Sequence, residues 1–424
     1  MMELPAPIGD GCPNMTSTVP LMSISSRPSP PNMPIPANKP VWGLIVVAWL
    51  VFICLTFAYY ALAPSGGHDS DAYYLATQAL LRGESPYGTL TGRAYLYPPL
   101  LAQAFIPLAW IGSQTLYEII LYISFIGALL VIIRTLAHHF PPQWAKWLWL
   151  MPIGCYPVWE QLFFGQISIW LCLCFVLAWD DYHAGRHDRA GVWLAIATWI
   201  KLYPALIIGL FILRRDWRVV RGALVIGVIL GIIQTIFAGG FVIWGDFLHT
   251  IIALAGEGRE GATFENHSIF GFASRLFLPN NRVYSIMHHE GLFIITRWGL
   301  TLLMLIITCI GIIRPRLTDE RAQFDLSYSM VIILALLMGA VLWFSAMTPL
   351  LLVYPLVIWH NRMRLSWGIW AISYIGAWVV WMSHHSAPIL PALALSWGTF
   401  GMMGLWGLCV WRVIWTTNTH PATA

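Results

Sequence analysis

The residues best suited to chemistry lie in one polar stretch, from Gly66 to Leu100. Its ionisable side chains are His68, Asp69, Asp71, Arg82, Glu84 and Arg93. This density is unusual because only 10% of the chain is charged. An ionisable side chain at the lip of a membrane helix is costly to keep and indicates a function by default. The stretch is either a solvated loop with a turn at 85–88, or a loop that presents a catalytic carboxylate to the bilayer surface.

Asp69 and Asp71 are each candidates for a general base, which must reach the hydroxyl that it deprotonates. Two residues apart, they would diverge by about 200° on a helix but share a face on an extended segment. Asp71 directly precedes a predicted helix over 72–82, where a carboxylate can cap free backbone amides. Asp69 is therefore the preferred base.

Composition places the chain among helical membrane proteins. Of its 424 residues 58% are hydrophobic and 24 are Trp, and its mean hydropathy is +0.69. Soluble domains have about 45–50% apolar and about 25% charged residues. The long apolar runs exclude the alternating strands of a β-barrel, and a net charge of +4 is too small to indicate nucleic-acid binding.

Several features define the order of segments. Residues 1–40 contain ten Pro and few charges, which predicts a disordered cytoplasmic tail. Residues 41–63 carry no charge and are long enough to span a bilayer. Further apolar segments lie near 98–112, 114–133, 145–163, 166–179, 190–213, 219–238, 292–313, 326–345, 348–359, 366–382 and 391–411. The sequence thus predicts an all-α polytopic protein of about twelve helices.

The predicted single domain covers 41–415, with large outer loops at 64–97 and 239–290 and a cytoplasmic tail at 416–424. Arginine clusters near 214–221, 314–321 and 362–364 fall on the cytoplasmic side if both loops lie outside. Between 113 and 213 the parity leaves Arg186 and Arg189 outside. A broken helix at 201–204, where Pro204 disfavours helix in the preceding residue, would change that.

Polar residues interrupt these segments at a few places. Lys201 lies in the middle of an apolar run and is either functional or snorkelling towards the interface. Gln166, after Gly165, is a weaker signal. Asn266, His267 and Ser268 form a glycosylation sequon, and Arg275 could hold an anion. Cys172 and Cys174 are spaced as a weak metal signal and are more simply buried thiols.

Several of these motifs together resemble glycosyltransferase family 87 over about residues 41–359. The motifs are Asp69-x-x-x-Tyr73-Tyr74, Ala79-Leu80-Leu81-x-Gly83, Pro86-Tyr87, Tyr97-Pro98-Pro99-Leu100, Gly165-Gln166, Ala190-Gly191, Ile200-Lys201-Leu202-Tyr203-Pro204, and Asn266-x-Ser268 with Arg275. The resemblance implies a membrane enzyme of the GT-C superfamily, which uses polyprenyl-phosphate sugars. Family members include mannosyltransferases that act on phosphatidylinositol mannosides.

The chain departs from the family in one segment. Members often carry a Ser-Pro-x-Ser-Trp-x-His-His-like segment before a late helix, whereas residues 343–349 here read WFSAMTP. The histidines are absent. If that histidine binds donor phosphate or acceptor, His267, His288 or His384 could replace it. The alternatives are a different substrate or lost activity.

The resemblance implies transfer of a sugar, with mannose expected, from a polyprenyl-phosphate donor to a lipid or glycan hydroxyl. Lipid phosphate leaves without protonation, so the protein must deprotonate the acceptor, align it and stabilise the phosphate charge. Asp69 would be the base, in one displacement that inverts the anomeric carbon. The residues expected to bind phosphate are Arg275, Lys201, Arg82 and Arg93. The residues expected to contact substrate are His68, Tyr73, Tyr97, Gln166, Asn266, His267 and Ser268.

These expectations include no metal and no cofactor, and neither a nucleotide-binding loop nor a nucleic-acid partner. They place a multi-pass protein among the lipids of the cell membrane, with its active site on the extracytoplasmic face. A transporter or lipid-sugar flippase is the alternative, and it predicts a polar cavity through the membrane. A non-catalytic scaffold would give no reason for acids and arginines to gather in both outer loops.

Overall fold

The computed structural model describes residues 39–62, 69–87, 95–257, 263, 265–279, 285–361 and 392–415. Within these ranges the chain is helical, and no residue belongs to a β-strand. The all-α prediction is thereby confirmed for the described part of the chain. Most of the predicted tail 1–40, all of 416–424 and the predicted segment 366–382 lie outside the described residues.

The helices follow one another through turns and short loops. Those up to residue 183 are α1 (Lys39–Leu62), α2 (Asp69–Leu81), α3 (Pro99–Ala104), α4 (Ile106–Ala109), α5 (Gln114–His139), α6 (Pro142–Gly154), α7 (Tyr156–Phe164) and α8 (Ser168–His183). Those that follow are α9 (His187–Ile200), α10 (Ala205–Leu213), α11 (Trp217–Phe237), α12 (Val242–Glu257), α13 (Ile269–Phe277), α14 (Glu290–Ile313), α15 (Glu320–Leu337), α16 (Leu350–Asn361) and α17 (Trp397–Val410). A short 3₁₀ helix covers Phe344–Met347.

Four described helices are long and apolar enough to cross a membrane. Their spans are Val41–Leu62, Gln114–His139, Trp217–Phe237 and Glu290–Ile313. On α1 the side chains of Leu44, Leu50 and Leu55 are each more than half exposed. An exposed apolar surface of this kind needs lipid around it, and the chain is accordingly a membrane protein.

Three segments predicted as single crossings are broken in the structure. The segment 98–112 forms the short helices α3 and α4, and the segment 145–163 is interrupted at Cys155. The segment 190–213 is interrupted at Lys201, whose backbone is extended with φ −150° and ψ 139°. Prolines at 107, 157 and 204 stand just after these breaks. Proline suits a first helical turn but cannot continue the helix before it, and so separates the two halves.

The break at Lys201 settles the position of Arg186 and Arg189. Asp188, at the start of α9, forms an ion pair with Arg221 of α11 at 2.6 Å, and Arg218 lies 3.5 Å away. The turn before α9 therefore lies on the same side as the 214–221 cluster. Of the two alternatives for this stretch, the structure has the broken helix: the chain runs along α9 to Lys201 and returns along α10. Arg186 and Arg189 therefore lie at the same end of the molecule as Arg218 and Arg221.

Helix α9 also sets the distance between the two ends of the molecule. It packs closely along α11, and at Gly191 an added Cβ would stand 2.1 Å from the Val219 carbonyl oxygen. Only glycine permits such an approach. The fourteen residues of α9 span about 21 Å. Lys201 thus lies about that far from the arginine-rich end, which we define as Arg186, Arg189, Arg218 and Arg221.

A buried polar cluster fixes the core helices at the arginine-rich end. Asp325 of α15 is 1% exposed, and its carboxylate interacts with side chains of two other helices. Trp179 and His183 of α8 each lie 2.7 Å from Oδ1. His360 of α16 lies 2.8 Å from Oδ2. Because a buried carboxylate requires such partners, Asp325 ties α8, α15 and α16 together.

Candidate active site

The first turn of α2 places the two aspartates on different sides. The helix begins at Asp69 rather than at Ala72, so the prediction of Asp71 as a residue just before the helix was wrong. Asp71 is buried and accepts a hydrogen bond of 2.8 Å from Gln114 Nε2 of α5. Asp69 lies about 200° away around the helix axis. Both carboxylates benefit from the positive end of the helix dipole.

Asp69 lies beside a group of tyrosines that the sequence analysis had selected. Tyr73 donates a hydrogen bond to the Tyr97 hydroxyl at 3.1 Å, and Tyr97 donates to Gln166 Oε1 at 3.3 Å. Burial first, and then the charge of Asp69, raises the pKa of Tyr97. Both hydroxyls therefore stay protonated and act as hydrogen-bond donors near the Asp69 carboxylate.

Lys201 provides a positive charge in the same place. Its ammonium group lies 5.7 Å from the ring centroid of Tyr97 and 5.9 Å from that of Tyr203. It is also close enough to Asp69 for the two charges to interact. A cation over two aromatic faces is held by their negative quadrupoles. The interruption of α9 thus carries Lys201 to Asp69.

Gly165 explains why Gln166 reaches this group. It ends α7 with φ 63°, a left-handed conformation that favours glycine. A Cβ at this position would also stand 2.9 Å from Ser70 Cβ and 3.2 Å from the Tyr60 ring. The turn between α7 and α8 therefore packs directly on the start of α2, and Gln166 follows it.

A second group of selected residues forms a buried loop junction. Asn266 Nδ2 donates to the Ala340 carbonyl oxygen at 2.9 Å, while its Oδ1 accepts from the Leu342 backbone N–H at 3.0 Å. The Ser268 hydroxyl donates to the same Oδ1 at 2.8 Å and caps α13 by accepting from the Gly271 N–H. Asn266 is fully buried, so in this fold the sequon is not accessible to glycosylation.

His267 lies between the two halves of this junction. Its ring is 4.2 Å from the Phe344 ring, centroid to centroid, and Gly398 packs against its other side. Neither ring nitrogen has a hydrogen-bond partner among the described residues. Burial, and the nearby charge of Arg275, keeps the pKa of His267 well below its ordinary value, so the imidazole is neutral. His267 thus contacts the segment 343–349 in which the family histidines are missing.

Arg275 binds the protein itself. It is fully buried and donates to the carbonyl oxygens of Thr263 at 2.7 Å and Asn266 at 2.6 Å. Its Nε and Nη2 lie 3.2 and 3.0 Å from Ser396 Oγ. Burial lowers its pKa to about 10, which still leaves it charged at neutral pH. These contacts favour a role in fixing the 263–268 loop, and phosphate binding by Arg275 stays a prediction.

The remaining selected residues are not part of these two groups. Arg82 is exposed and pairs with Glu84 at 2.7 Å, about 20 Å along α2 from Asp69. Arg93 and His68 lie outside the described residues. Cys172 and Cys174 are free and buried. No group of three or more His, Cys, Asp or Glu in the described ranges is arranged to hold a metal ion.

The sequence analysis missed Glu160. This residue of α7 is buried, accepts a hydrogen bond from the Ser345 backbone N–H, and is close enough to Asp69 for their charges to interact. An acid within an apolar segment is a functional candidate on the same grounds as Lys201. That signal was present at 145–163 and could have selected it.

The two long segments that the sequence predicts as outer loops are in contact with each other. Ser85 donates to Asp246 Oδ2 of α12 at 2.6 Å, and the Tyr87 ring lies 5.7 Å from that of Phe247. Residues from 64–97 and from 239–290 are thus in contact in the structure.

An apolar groove of about 630 Å³ leads to this part of the molecule. Helices α9 to α12 form its walls, with Ala223, Gly227 and Gly231 leaving space on α11 and Trp199 and Trp244 bordering it. Its α11 side chains Leu224, Val228 and Ile232 are about half exposed or more, so the groove opens on the lipid-facing surface. Trp199 is two residues from Lys201, so the groove follows the part of α9 that leads to Lys201.

Comparisons with known proteins agree with the sequence motifs. The family model described as glycosyltransferase family 87 matches residues 95–345. A polyprenol-phosphate-mannose-dependent alpha-(1-2)-phosphatidylinositol mannoside mannosyltransferase of Mycobacterium tuberculosis is 26% identical over 55% of this chain and 60% of its own length. The protein of the same name from Mycolicibacterium smegmatis is 29% identical over 40% of this chain and 45% of its own length. The match thus spans less than two thirds of either relative, and no solved structure matches.

Proposed function

The chain belongs to glycosyltransferase family 87, and from this premise we propose that it transfers a mannosyl group from a polyprenyl-phosphate donor to a hydroxyl of a lipid or glycan acceptor. The names of both relatives specify this donor and a phosphatidylinositol mannoside acceptor. One observation carries the proposal. Asp69 and Lys201, a carboxylate and a cation, lie within electrostatic reach of each other, and an apolar groove follows the end of α9 that leads to Lys201.

In this proposal Asp69 removes the proton from the acceptor hydroxyl as it attacks the anomeric carbon. A single displacement inverts that carbon, and the lipid phosphate departs with the electron pair of the broken bond. The first turn of α2 suits the task, since the helix dipole holds the carboxylate ionised and able to accept a proton. Asp71 takes no part, because its carboxylate faces Gln114 on α5.

Lys201 stabilises the phosphate charge that develops on departure. The polyprenyl chain occupies the groove of α9 to α12, whose walls are apolar and whose indole N–H groups are already satisfied within the protein. Trp199 Nε1 donates to the Gly227 carbonyl oxygen at 2.7 Å, and Trp244 Nε1 donates to Thr235 at 2.9 Å. An isoprenoid would therefore displace lipid tails without leaving polar groups unpaired.

Tyr73, Tyr97 and Gln166 line the place where the sugar and acceptor hydroxyls would lie, and they supply both donors and acceptors of hydrogen bonds. We assign His68 to the same substrate region from the motif. Asn266, His267 and Ser268 shape the neighbouring wall, and Arg275 holds that wall in place. Arg93 stays a candidate phosphate ligand, whereas Arg82 is too distant from Asp69 along α2 to join it.

We place the active site on the extracytoplasmic face of a multi-pass cell-membrane protein. The arginine-rich end lies about 21 Å from Lys201 along α9. Positive residues concentrate on the cytoplasmic side of membrane proteins. The Asp69 end then faces the opposite side.

The direct test is Asp69→Asn, purified in detergent and assayed for mannosyl transfer from a radiolabelled polyprenyl-phosphate mannose to a phosphatidylinositol mannoside. Transfer should fall by about 10²–10⁴-fold, the usual contribution of a general base. Asp71→Asn is the matched control and should keep its transfer rate, while losing about 0.3–1 kcal/mol of stability from the helix terminus.

Two results would contradict the proposal. Wild-type rates in Asp69→Asn would remove Asp69 as the base. Movement of the labelled lipid across proteoliposome membranes without chemical transfer would favour the flippase alternative.

A further inference from the structure

Glu160 is the buried acid that the mechanism above does not use. It lies in α7, outside the four candidate membrane spans, and only 7% of it is exposed. Burying a carboxyl group is costly unless neighbours satisfy it. Its contacts therefore indicate what it does.

Glu160 holds a loop from the opposite half of the site. Its Oε2 accepts a hydrogen bond from the backbone N–H of Ser345, in the 3₁₀ helix Phe344–Met347. Its side chain also interacts with the Tyr156 hydroxyl. The Phe344 ring packs edge-on against Tyr156 at 5.0 Å and against His267 at 4.2 Å. Through Ser345, Glu160 thus links α7 to the Asn266–Ser268 junction.

The charges around Glu160 favour its neutral form. Asp69 approaches from α2 and Glu265 from the 263–268 loop, and both disfavour a further negative charge. Tyr156 faces it from α7, and Lys201 is a positive charge that interacts with Asp69. Burial is the largest cause and raises the pKa of Glu160 to about 8, although the hydrogen bond from the Ser345 N–H acts in the opposite direction. At neutral pH the group therefore carries a proton for most of the time.

We propose that Glu160 is a positioning residue for the transfer reaction, which holds the Ser345 loop against α7 through the hydrogen bond from the Ser345 N–H. This inference rests on the proposed function. An ionised Glu160 would add a second negative charge beside the base and the departing phosphate. Transfer should then slow in alkaline solution, even though the hydrogen bond from Ser345 is kept.

Two substitutions separate these contributions. Glu160→Gln keeps an oxygen that accepts from Ser345 and resembles the neutral acid, whereas Glu160→Ala removes the acceptor. The control is Gln161→Leu, since Gln161 is equally buried and its side chain has no hydrogen-bond partner among the described residues.

The assay measures kcat and KM for polyprenyl-phosphate mannose, with a phosphatidylinositol mannoside acceptor, between pH 6 and pH 9. At pH 6 we expect Glu160→Gln and Gln161→Leu to match the wild type within about twofold. Glu160→Ala should lose about 10- to 100-fold in kcat, as expected when site groups shift by about an ångström, with little change in KM. The wild-type rate divided by the Glu160→Gln rate should fall as the pH passes 8. Burial lowers the pKa of Lys201 to about 8, so Lys201 also loses its charge in this range, but this loss affects both proteins and cancels in the ratio.

A ratio that does not change with pH, or a Glu160→Ala variant with wild-type activity, would overturn the inference.

A wild type that is inactive with these substrates would instead count against the proposed function. Thermal unfolding in detergent then tests whether Glu160 holds the Ser345 loop. Because its pKa is raised by folding, its contribution to stability decreases as pH rises towards 8. The wild type should therefore lose melting temperature relative to Glu160→Gln between pH 6 and pH 9. Equal melting temperatures of the wild type and Glu160→Ala at pH 6 would show that Glu160 does not hold the Ser345 loop in place.

Discussion

At the scale of single residues, the proposed chemistry depends on the electrostatic interaction between Asp69 and Lys201. The two residues are far apart in the sequence, and each lies where a helix begins or has just ended. Side chains at helix ends are fixed by the backbone while still facing open space. The arrangement places a proton acceptor and a cation within electrostatic reach without burying either alone.

Substitution of Lys201 by Gln should weaken donor binding. A hydrogen bond to a charged group contributes about 1.5–3 kcal/mol, so KM for polyprenyl-phosphate mannose should rise by roughly 10- to 100-fold. Lys146→Gln is the control, because Lys146 lies over Trp147 on α6, away from this group. An unchanged KM in Lys201→Gln would show that the phosphate binds elsewhere.

The sequence allowed Asp69, Tyr73, Tyr97, Gln166 and Lys201 to be selected, and the structure brings these five together. Their residue types and their order in the chain were enough to select them, although the distances between them in the fold were unknown. Arg82 was selected for its charge alone, and its exposed pair with Glu84 could not be foreseen. Glu160 could have been selected as an acid within the apolar segment 145–163, but its contact with Ser345, far away in the chain, becomes visible only in the fold.

At the scale of elements, breaks in the helices matter more for the site than their lengths. The interruptions at Gly165 and Lys201 separate helix pairs whose ends reach the Asp69 group. Pro157 and Pro204 are both visible in the sequence, and Pro204 made a break at 201–204 predictable. Gly165 was noted only as an interruption, since its contact with Ser70 depends on packing.

Gly165→Ala should destabilise the protein and reduce transfer. The new Cβ would require a left-handed backbone, at a cost of about 1 kcal/mol or more, and would also collide with Ser70. Gly127→Ala, in the middle of α5 with open space around it, should be neutral or slightly stabilising. Melting temperatures and transfer rates of both variants measure this. A Gly165→Ala protein as stable and active as Gly127→Ala would contradict the tight packing.

At the scale of the whole molecule, the arginine-rich end is held by the Asp325 cluster. Burial alone would raise the pKa of Asp325, but hydrogen bonds from His183 and His360 outweigh it and keep the pKa below its ordinary value. A depressed pKa stabilises the fold above the unfolded-state value of about 3.9, and this stabilisation is lost as pH falls further. Its side chains come from three helices, so the cluster could not be predicted from any single stretch of the sequence.

Asp325→Asn should therefore lose about 3–5 kcal/mol at pH 7, the cost of breaking a buried charged network. Asp188→Asn, whose carboxylate is 40% exposed, should change the stability little, because exposed ion pairs contribute little. Unfolding of the two variants and the wild type, followed from pH 7 to pH 3, tests both expectations. The gap between wild type and Asp325→Asn should narrow below about pH 4, and a constant gap would show that the ionised form is not what stabilises the bundle.

The sideways opening of the groove between α9 and α12 has a kinetic consequence. A donor that enters from within the bilayer never passes through water. The enzyme therefore responds to the surface concentration of donor in the membrane or micelle. Saturation then follows the mole fraction of donor among the amphiphiles rather than its molarity in the tube. Adding detergent at constant donor would slow turnover by simple dilution of the surface, and crowding the leaflet with carrier would hasten it.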